Sequence, residues 1–331
     1  MNIVIILVAL WDYSYSVTAR VTYDNNIFAY SQEYIDDFMN HVRPYRFPFE
    51  THDDLITSGN MHLYLRNKFF GNKTTTFHVD VLVHHYLINH QKDYQRIDVG
   101  IRQSFGAYAV RSEYQIIPRY LIRYYRKTGG SRTEYIGCEV AYHTIYGKVS
   151  WRALPHIELD VRYRRRWENF ISEFDMYDAN SHTLGIGAHI TLKKRLALSL
   201  GYDYRTSQTD SAALLSAPDE DTPDGSYNQH AVQGRLTYQL KFFLPTTLDL
   251  GYDYTFRDFT TSASTDSLHF SRQDHLHKFS IATQLKIFVG MSFNISYTFQ
   301  LRNATSEILS GIDRIKDYNK YRFSAGLNFY H

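Results

Sequence analysis

Apolar and polar side chains alternate one for one along most of the chain. In YSYSVTARVTY, residues 13–23, Tyr13, Tyr15, Val17, Ala19, Val21 and Tyr23 share one parity, and Ser14, Ser16, Thr18, Arg20 and Thr22 share the other. Successive side chains of an extended chain point to opposite faces, so this is a strand with one apolar side. The period recurs in 59–70, 75–88, around Ile97–Ile101, and in 108–125, 134–153, 157–168, 182–192, 196–207, 228–242, 248–260, 275–287, 291–303 and 319–331, which makes fourteen strands. Two places interrupt it. Pro118 falls on the apolar parity of 108–125, where its missing N–H predicts a bulge. Within 134–153 the apolar positions start at Ile136, Cys138, Val140 and Tyr142 and finish on the opposite parity at Val149, Trp151 and Ala153; a bulge around Gly147 would reconcile them.

The connections alternate as well. Long ones (24–58, 127–133, 169–181, 208–227, 261–274, 304–318, and a brief one near 89–92) take turns with short ones such as GNKT (71–74), FGAY (105–108), LPH (154–156) and FVG (288–290). Many strands run ten residues or more, enough to cross a bilayer when tilted, whereas strands of soluble sandwiches usually run five or six. Closing fourteen long strands into a barrel also removes every exposed edge. The expected fold is therefore all-β: a single closed antiparallel transmembrane barrel of about fourteen strands spanning 13–331, with short turns and both termini on the periplasmic side and longer extracellular loops.

Composition agrees. Tyr contributes 29 residues and Phe 21, while no run of eighteen apolar residues exists for a membrane helix. Tyrosines such as Tyr13, Tyr23, Tyr204, Tyr254 and Tyr297 suit aromatic girdles at the two interfaces. The single cysteine, Cys138, excludes an intramolecular disulfide. A net charge of +2 argues against a strongly basic nucleic-acid binder. Residues 1–12 contain IVIILVAL with no preceding Lys or Arg and no A-x-A cleavage site, and are expected to be a degenerate export signal or an apolar lead-in. In loop 24–58, SQEYIDDFMNHV pairs an N-capping Ser31 with an apolar stripe of Tyr34, Ile35, Phe38, Met39 and Val42, which predicts a short amphipathic helix in the barrel mouth or along its rim.

With this pattern the chain resembles a Gram-negative outer-membrane β-barrel. The ending FSAGLNFY, with Tyr321, Phe323, Ala325, Leu327 and Phe329 in alternation, is similar to the C-terminal strand signal of that class, although His331 stands where a terminal Phe is usual. TYDNN (22–26) is similar to segments of surface-lipoprotein translocator barrels. Monomeric porins and fatty-acid-type transporters share the strand number, but twelve residues before the first strand are too few for the plug of the latter. The resemblance implies location in the cell outer membrane, contact with outer-membrane lipid and lipopolysaccharide, insertion by the barrel-assembly machinery, and a monomer.

With the apolar parity facing lipid, the lumen should receive about twenty Lys and Arg and about nine Asp and Glu. The densest cluster is Arg119, Arg123, Lys148, Arg152, Arg162 and Arg164, with Glu139, Glu158 and Asp160 interleaved. It is either an anion-attracting strip or a ladder of salt bridges that stiffens the wall. Acids of the exposed loops (Asp36, Asp37, Asp53, Asp54, Asp219, Glu220, Asp221, Asp224) would offset it. DEDTPDGS lacks the register of a calcium loop, because Pro223 interrupts it and no Glu follows at the twelfth position. LHFSRQD offers His269 and Ser271 for nucleophilic catalysis, with no orienting third group evident. The sequence thus points to a passive or weakly selective channel with a basic lumen, and not to an enzyme; no catalytic residue, metal site, cofactor or nucleic-acid partner is assigned. The alternatives are the barrel of a surface-protein translocation or adhesion system and, further off, a lipid-modifying enzyme.

Overall fold

The computed structural model describes residues 11–331 except 70–71, 128–130, 132, 211–223 and 242. Residues 1–10 of the expected signal or lead-in and the acids Asp219, Glu220 and Asp221 lie outside the described residues, while Asp12 already belongs to the first strand. Fourteen strands follow in chain order: β1 Asp12–Asp24, β2 Asp54–Phe69, β3 Lys73–Tyr86, β4 Tyr94–Phe105, β5 Tyr108–Arg126, β6 Tyr135–Leu154, β7 Ile157–Phe170, β8 Ala179–Lys193, β9 Leu196–Thr209, β10 Tyr227–Lys241, β11 Pro245–Phe259, β12 Gln273–Phe288, β13 Met291–Thr305 and β14 Tyr318–Tyr330. Each pairs antiparallel with its chain neighbours, and β1 pairs with β14 to close the barrel, Ser16 opposite Tyr330 and Asp24 opposite Arg322. The short connections are tight. Phe105 faces Tyr108 across a two-residue turn whose Gly106 has φ 80°, a left-handed conformation that costs glycine little. Among the described residues two α-helices sit in the long loops: α1, Gln32–Met39, with Ser31 Oγ accepting from Tyr34 N at 3.3 Å, and α2, Ile312–Lys316.

The outer face is apolar and uncovered. Val161, Leu184 and Ile186 are each 59% exposed, and Val17, Val99, Val149 and Leu200 also face outward. A continuous apolar exterior of this extent belongs against hydrocarbon. None of the described helices is long and apolar enough to cross a membrane; the strands cross it. Val161→Arg, in the middle of the apolar outward stretch of β7 below Arg165, should therefore lower barrel stability by about 2–4 kcal/mol, as cations near the midplane do. Arg235→Gln, on the inward face of β10, should be nearly neutral in the same urea unfolding measurement from lipid vesicles. Equal damage from both would contradict a lipid-facing β7.

Pro118 does mark a bulge. The β5–β6 register slips between Ile117 and Tyr120 and again between Leu121 and Arg123, so one extra residue is accommodated at each place. The expected bulge around Gly147 is absent, and this corrects the sequence reading. β6 keeps one parity throughout: Cys138 and Val140 are buried on the lumenal side in line with Lys148 and Ser150, while Val149 and Trp151 face out. What changes along β6 is the filling of the lumen. At the long-loop end the lumen holds apolar loop residues, so inward positions become apolar without any change of face.

Candidate functional site

The lumen wall carries charges in two states. In the first they neutralise one another. Arg162 Nε donates to Asp203 Oδ1 at 2.8 Å and its guanidinium lies 3.8 Å from Asp160, which also meets Lys148 Nζ at 3.4 Å. Gly185, Gly187 and Gly201 make room for this network. A Cβ on Gly185 would collide with Asp203 and Arg162, one on Gly187 with Asp160, and one on Gly201 with Arg162, so the pairs lie flat on the wall. Arg205 likewise pairs with Glu168 at 2.6 Å, and Asp274 with Arg272 and Arg302 at 2.7 Å each.

In the second state the cation has no carboxylate. A cavity of about 550 Å³ in the lumen is lined by Arg96, Arg111, Glu113, Tyr146, Arg164 and Arg166, among others. Arg96 is bonded to Asp98 at 2.8 Å and Arg111 to Glu113. Arg164 and Arg166 lie over the rings of Tyr146 and Tyr142 at 5.6 and 5.3 Å, and Arg166 Nε also donates to Thr144 Oγ1 at 3.3 Å. Among the described residues no carboxylate is within ion-pair distance of either.

The long-loop end is filled from inside. Asn26 braces its own turn, its side-chain amide donating to Tyr30 O at 2.8 Å and its Oδ1 accepting from Tyr30 N at 2.9 Å. This aims Phe28 and Tyr30 into an aromatic cluster with Phe47, Ile56, Tyr86 and Leu121, against which Tyr34, Ile35 and Phe38 of α1 pack. Met39 and Val42 of the expected stripe stay exposed. Lys92 is buried beneath, donating to Leu121 O at 2.8 Å and Ile122 O at 3.2 Å, with its ammonium 4.7 Å from the Phe28 ring. Burial holds its pKa well below the ordinary lysine range, as it does for Lys316 of α2, and pushes the Tyr30 phenol up. Lys316 lines one cavity with Arg123, Arg272 and Arg302, and Arg314 bonds Glu33 of α1 at 3.0 Å, so α2 lies beside α1 at the mouth. A cavity of about 340 Å³ lies among Arg123, Glu168, Tyr177, Arg257, Arg272 and Lys316.

The six basic residues singled out in the sequence do not form one strip. Lys148 and Arg162 belong to the neutralised network, and Arg164 lines the arginine cavity. Arg152 is exposed near the short-turn end, opposite Glu158. Arg123 is buried in the mouth, donating to Ala29 O at 3.1 Å over the Tyr30 ring. Arg119 shares the first β5 bulge with Pro118, opposite Ala141, and its largely exposed side chain bonds Glu139 on the outer face, so it does not line the lumen. Asp54 and Asp224 are buried rather than solvated; Asp54 accepts from Asn89 N at 2.8 Å and Asp224 from Thr209 Oγ1 at 2.8 Å. His269 bonds Asp266 at 2.8 Å, whereas Ser271 accepts from Glu307 N at 3.0 Å, so the two do not meet as base and nucleophile. Lys92, in a connection, carried no period signal, whereas Arg166 continues the parity of Arg162 and Arg164 and was open to the same reading. TYDNN proves structural: Asp24, fully buried, takes Lys320 at 2.9 Å and Arg322 at 2.7 Å, and Lys320 also donates to Asn26 O at 2.7 Å.

The family described as outer membrane beta-barrel porin, MtrB/PioB, matches residues 110–305, more than half of the chain. No protein of curated function matches the sequence. Among solved structures, an anion-selective porin from Comamonas acidovorans is similar at 8% identity, covering 97% of this chain and 99% of that one, with a TM-score of 0.47. OmpT from Vibrio cholerae is similar at 7% identity with the same coverage and a TM-score of 0.48. OpdK from Pseudomonas aeruginosa is similar at 10% identity with the same coverage and a TM-score of 0.44. At such identities and scores the likeness says nothing about what passes through a barrel.

Proposed function

The chain belongs to the MtrB/PioB family of outer-membrane β-barrel porins, and from that premise we propose that it is a narrow passive channel preferring small anions. One observation carries the preference: Arg164 and Arg166 line a lumenal cavity with aromatic faces, not carboxylates, as their partners. Paired charges such as Arg162 and Asp203 cancel at a short distance, so unpaired arginines set the field along the passage. A confined, low-dielectric lumen focuses that field on a passing ion. Acids near the entrance (Glu33, Asp36, Asp37) oppose it, but exposed charges are screened within about 8 Å at physiological salt.

Reversal potentials in a KCl gradient across a planar bilayer test the proposal. The wild-type barrel should pass chloride in preference to potassium, and Arg164→Gln/Arg166→Gln should lose most of that preference while still conducting. Cation selectivity, or a preference unchanged in the double variant, would overturn it.

A further inference from the structure

The outer face of the barrel repeats one side-chain pair across four successive hairpins. Tyr114 Oη lies 2.7 Å from His143 Nδ1, Tyr163 Oη 2.7 Å from His182 Nδ1, Tyr202 Oη 2.8 Å from His230 Nδ1, and Tyr252 Oη 2.9 Å from His277 Nδ1. In every case the tyrosine is on the odd-numbered strand of the hairpin, and its histidine is two residues toward the long loop from the tyrosine's direct cross-strand neighbour (Ile145, Leu184, Val232 or Phe279). The heights match too. His143, His182, His230 and His277 stand in strands that end at Leu154, Lys193, Lys241 and Phe288, each eleven positions before the short turn. Since the short turns lie at one end of the barrel, the four imidazoles form a level arc around β6 to β12.

This level is where the exterior changes character. The cross-strand neighbours just below the histidines are apolar and 45–59% exposed. Two residues above stand Asn180, Asn228 and His275 on β8, β10 and β12. The arc therefore sits at the outer border of the hydrocarbon, where headgroups begin. A phenol carries its proton at ordinary pH and donates it, so Nδ1 accepts and the proton of the neutral ring resides on Nε2. Each hydroxyl thus sets a tautomer whose N–H donor has no protein partner among the described residues. Arg165 stands directly across from His182, adding a guanidinium to the arc. The remaining strands have Leu301, Tyr321, Tyr23 and Leu55 at outward positions near that end, and the one imidazole at a comparable height among their described residues, His85 of β3, is paired with Asp93 at 2.7 Å.

We propose that this arc binds the phosphate-bearing headgroups of outer-leaflet lipid, with the four imidazole Nε2–H groups and Arg165 as donors to phosphate oxygens and the apolar rows below against the acyl chains. Continuity with the hydrocarbon-facing wall makes a lipid the occupant, and the N–H donors of the arc make phosphate the feature recognised, although Asp258 of β11 faces outward across from Asn228 and Arg165 Nε also donates to Asn180 Oδ1 at 3.3 Å. The proposal is independent of what the lumen conducts.

The test compares diphosphoryl lipid A with the same lipid after enzymatic dephosphorylation, added to the detergent-purified barrel. Bound lipid is counted by native mass spectrometry, and folding is followed by heat-modifiable gel mobility. Wild type should retain several-fold more of the phosphorylated lipid. His143→Phe/His182→Phe/His230→Phe/His277→Phe should fold, keep the dephosphorylated lipid, and lose the difference; the corresponding Gln variant, which keeps an N–H donor, should recover part of it. Should the Phe variant fail to fold, Arg165→Gln with His182→Phe is read instead and should lose part of the difference. Equal retention of both lipids by wild type, or a difference undiminished in the folded variants, would overturn the proposal.

Discussion

Asp24→Ala should be among the most damaging single substitutions in the barrel, lowering stability by about 3–5 kcal/mol. The carboxylate is fully buried and meets two cations, Lys320 Nζ at 2.9 Å and Arg322 Nε at 2.7 Å, both on β14. Removing it leaves the buried Lys320 ammonium without its counter-charge, beside an Arg322 side chain that is itself about half exposed, and the uncompensated lysine is the main source of the loss. The position compounds the effect, because β1 and β14 form the seam where the chain's two ends meet. Asp24→Asn should be nearly as harmful, since it keeps the shape and removes the charge. Asp24→Asn combined with Lys320→Met should recover much of the loss by removing one stranded cation. Urea unfolding from lipid vesicles measures all three. A loss below about 1 kcal/mol, the range of an exposed pair, would show that the cluster is solvated.

That such a cluster exists was not legible in the sequence, and the reason is physical. Period-two alternation reports which face of a strand meets hydrocarbon, because that face must be apolar over its whole length. Fourteen strands and the alternation of loops followed from that one constraint. The lumenal face obeys no comparable rule, since its neighbours are other lumenal side chains or loop residues brought in from afar. Cys138, Val140 and Tyr142 suggested a change of face at Gly147 when only the lumen's contents had changed. Arg119 kept the parity of lumenal residues, but the bulge at Pro118 turned it out. Asp24 read as part of a short family-like segment, and its partners lie some three hundred residues away in sequence. The Tyr–His pairs were visible only as an abundance of both residues, because the diagonal relation depends on strand register.

Emptying the mouth should produce the largest change in transport. The segment between β1 and β2 fills the long-loop end through Phe28, Tyr30 and Phe47, and it is held there by buried contacts: Lys92 against the Phe28 ring, Lys320 and Arg123 on the carbonyls of Asn26 and Ala29. Phe28→Ala removes the ring that Phe49, Tyr30, Tyr124 and Lys92 all touch, a truncation that typically costs about 3–5 kcal/mol in a packed core. The cost falls on the docking of one loop rather than on the hydrogen-bonded wall, so the expected result is a folded barrel with a displaced segment and a conductance raised several-fold. Replacing residues 28–49 by a short Gly-Ser linker should raise it further. The exposed contact between α1 and α2 provides the contrast. Glu33→Ala/Arg314→Ala breaks a solvated pair of the kind that contributes at most about 1 kcal/mol, and should leave conductance where it was. Single-channel recording in planar bilayers separates the cases. If neither Phe28→Ala nor the linker replacement changes conductance, the aromatic cluster is not the constriction, and the limiting passage lies deeper, beside the arginines of the wall.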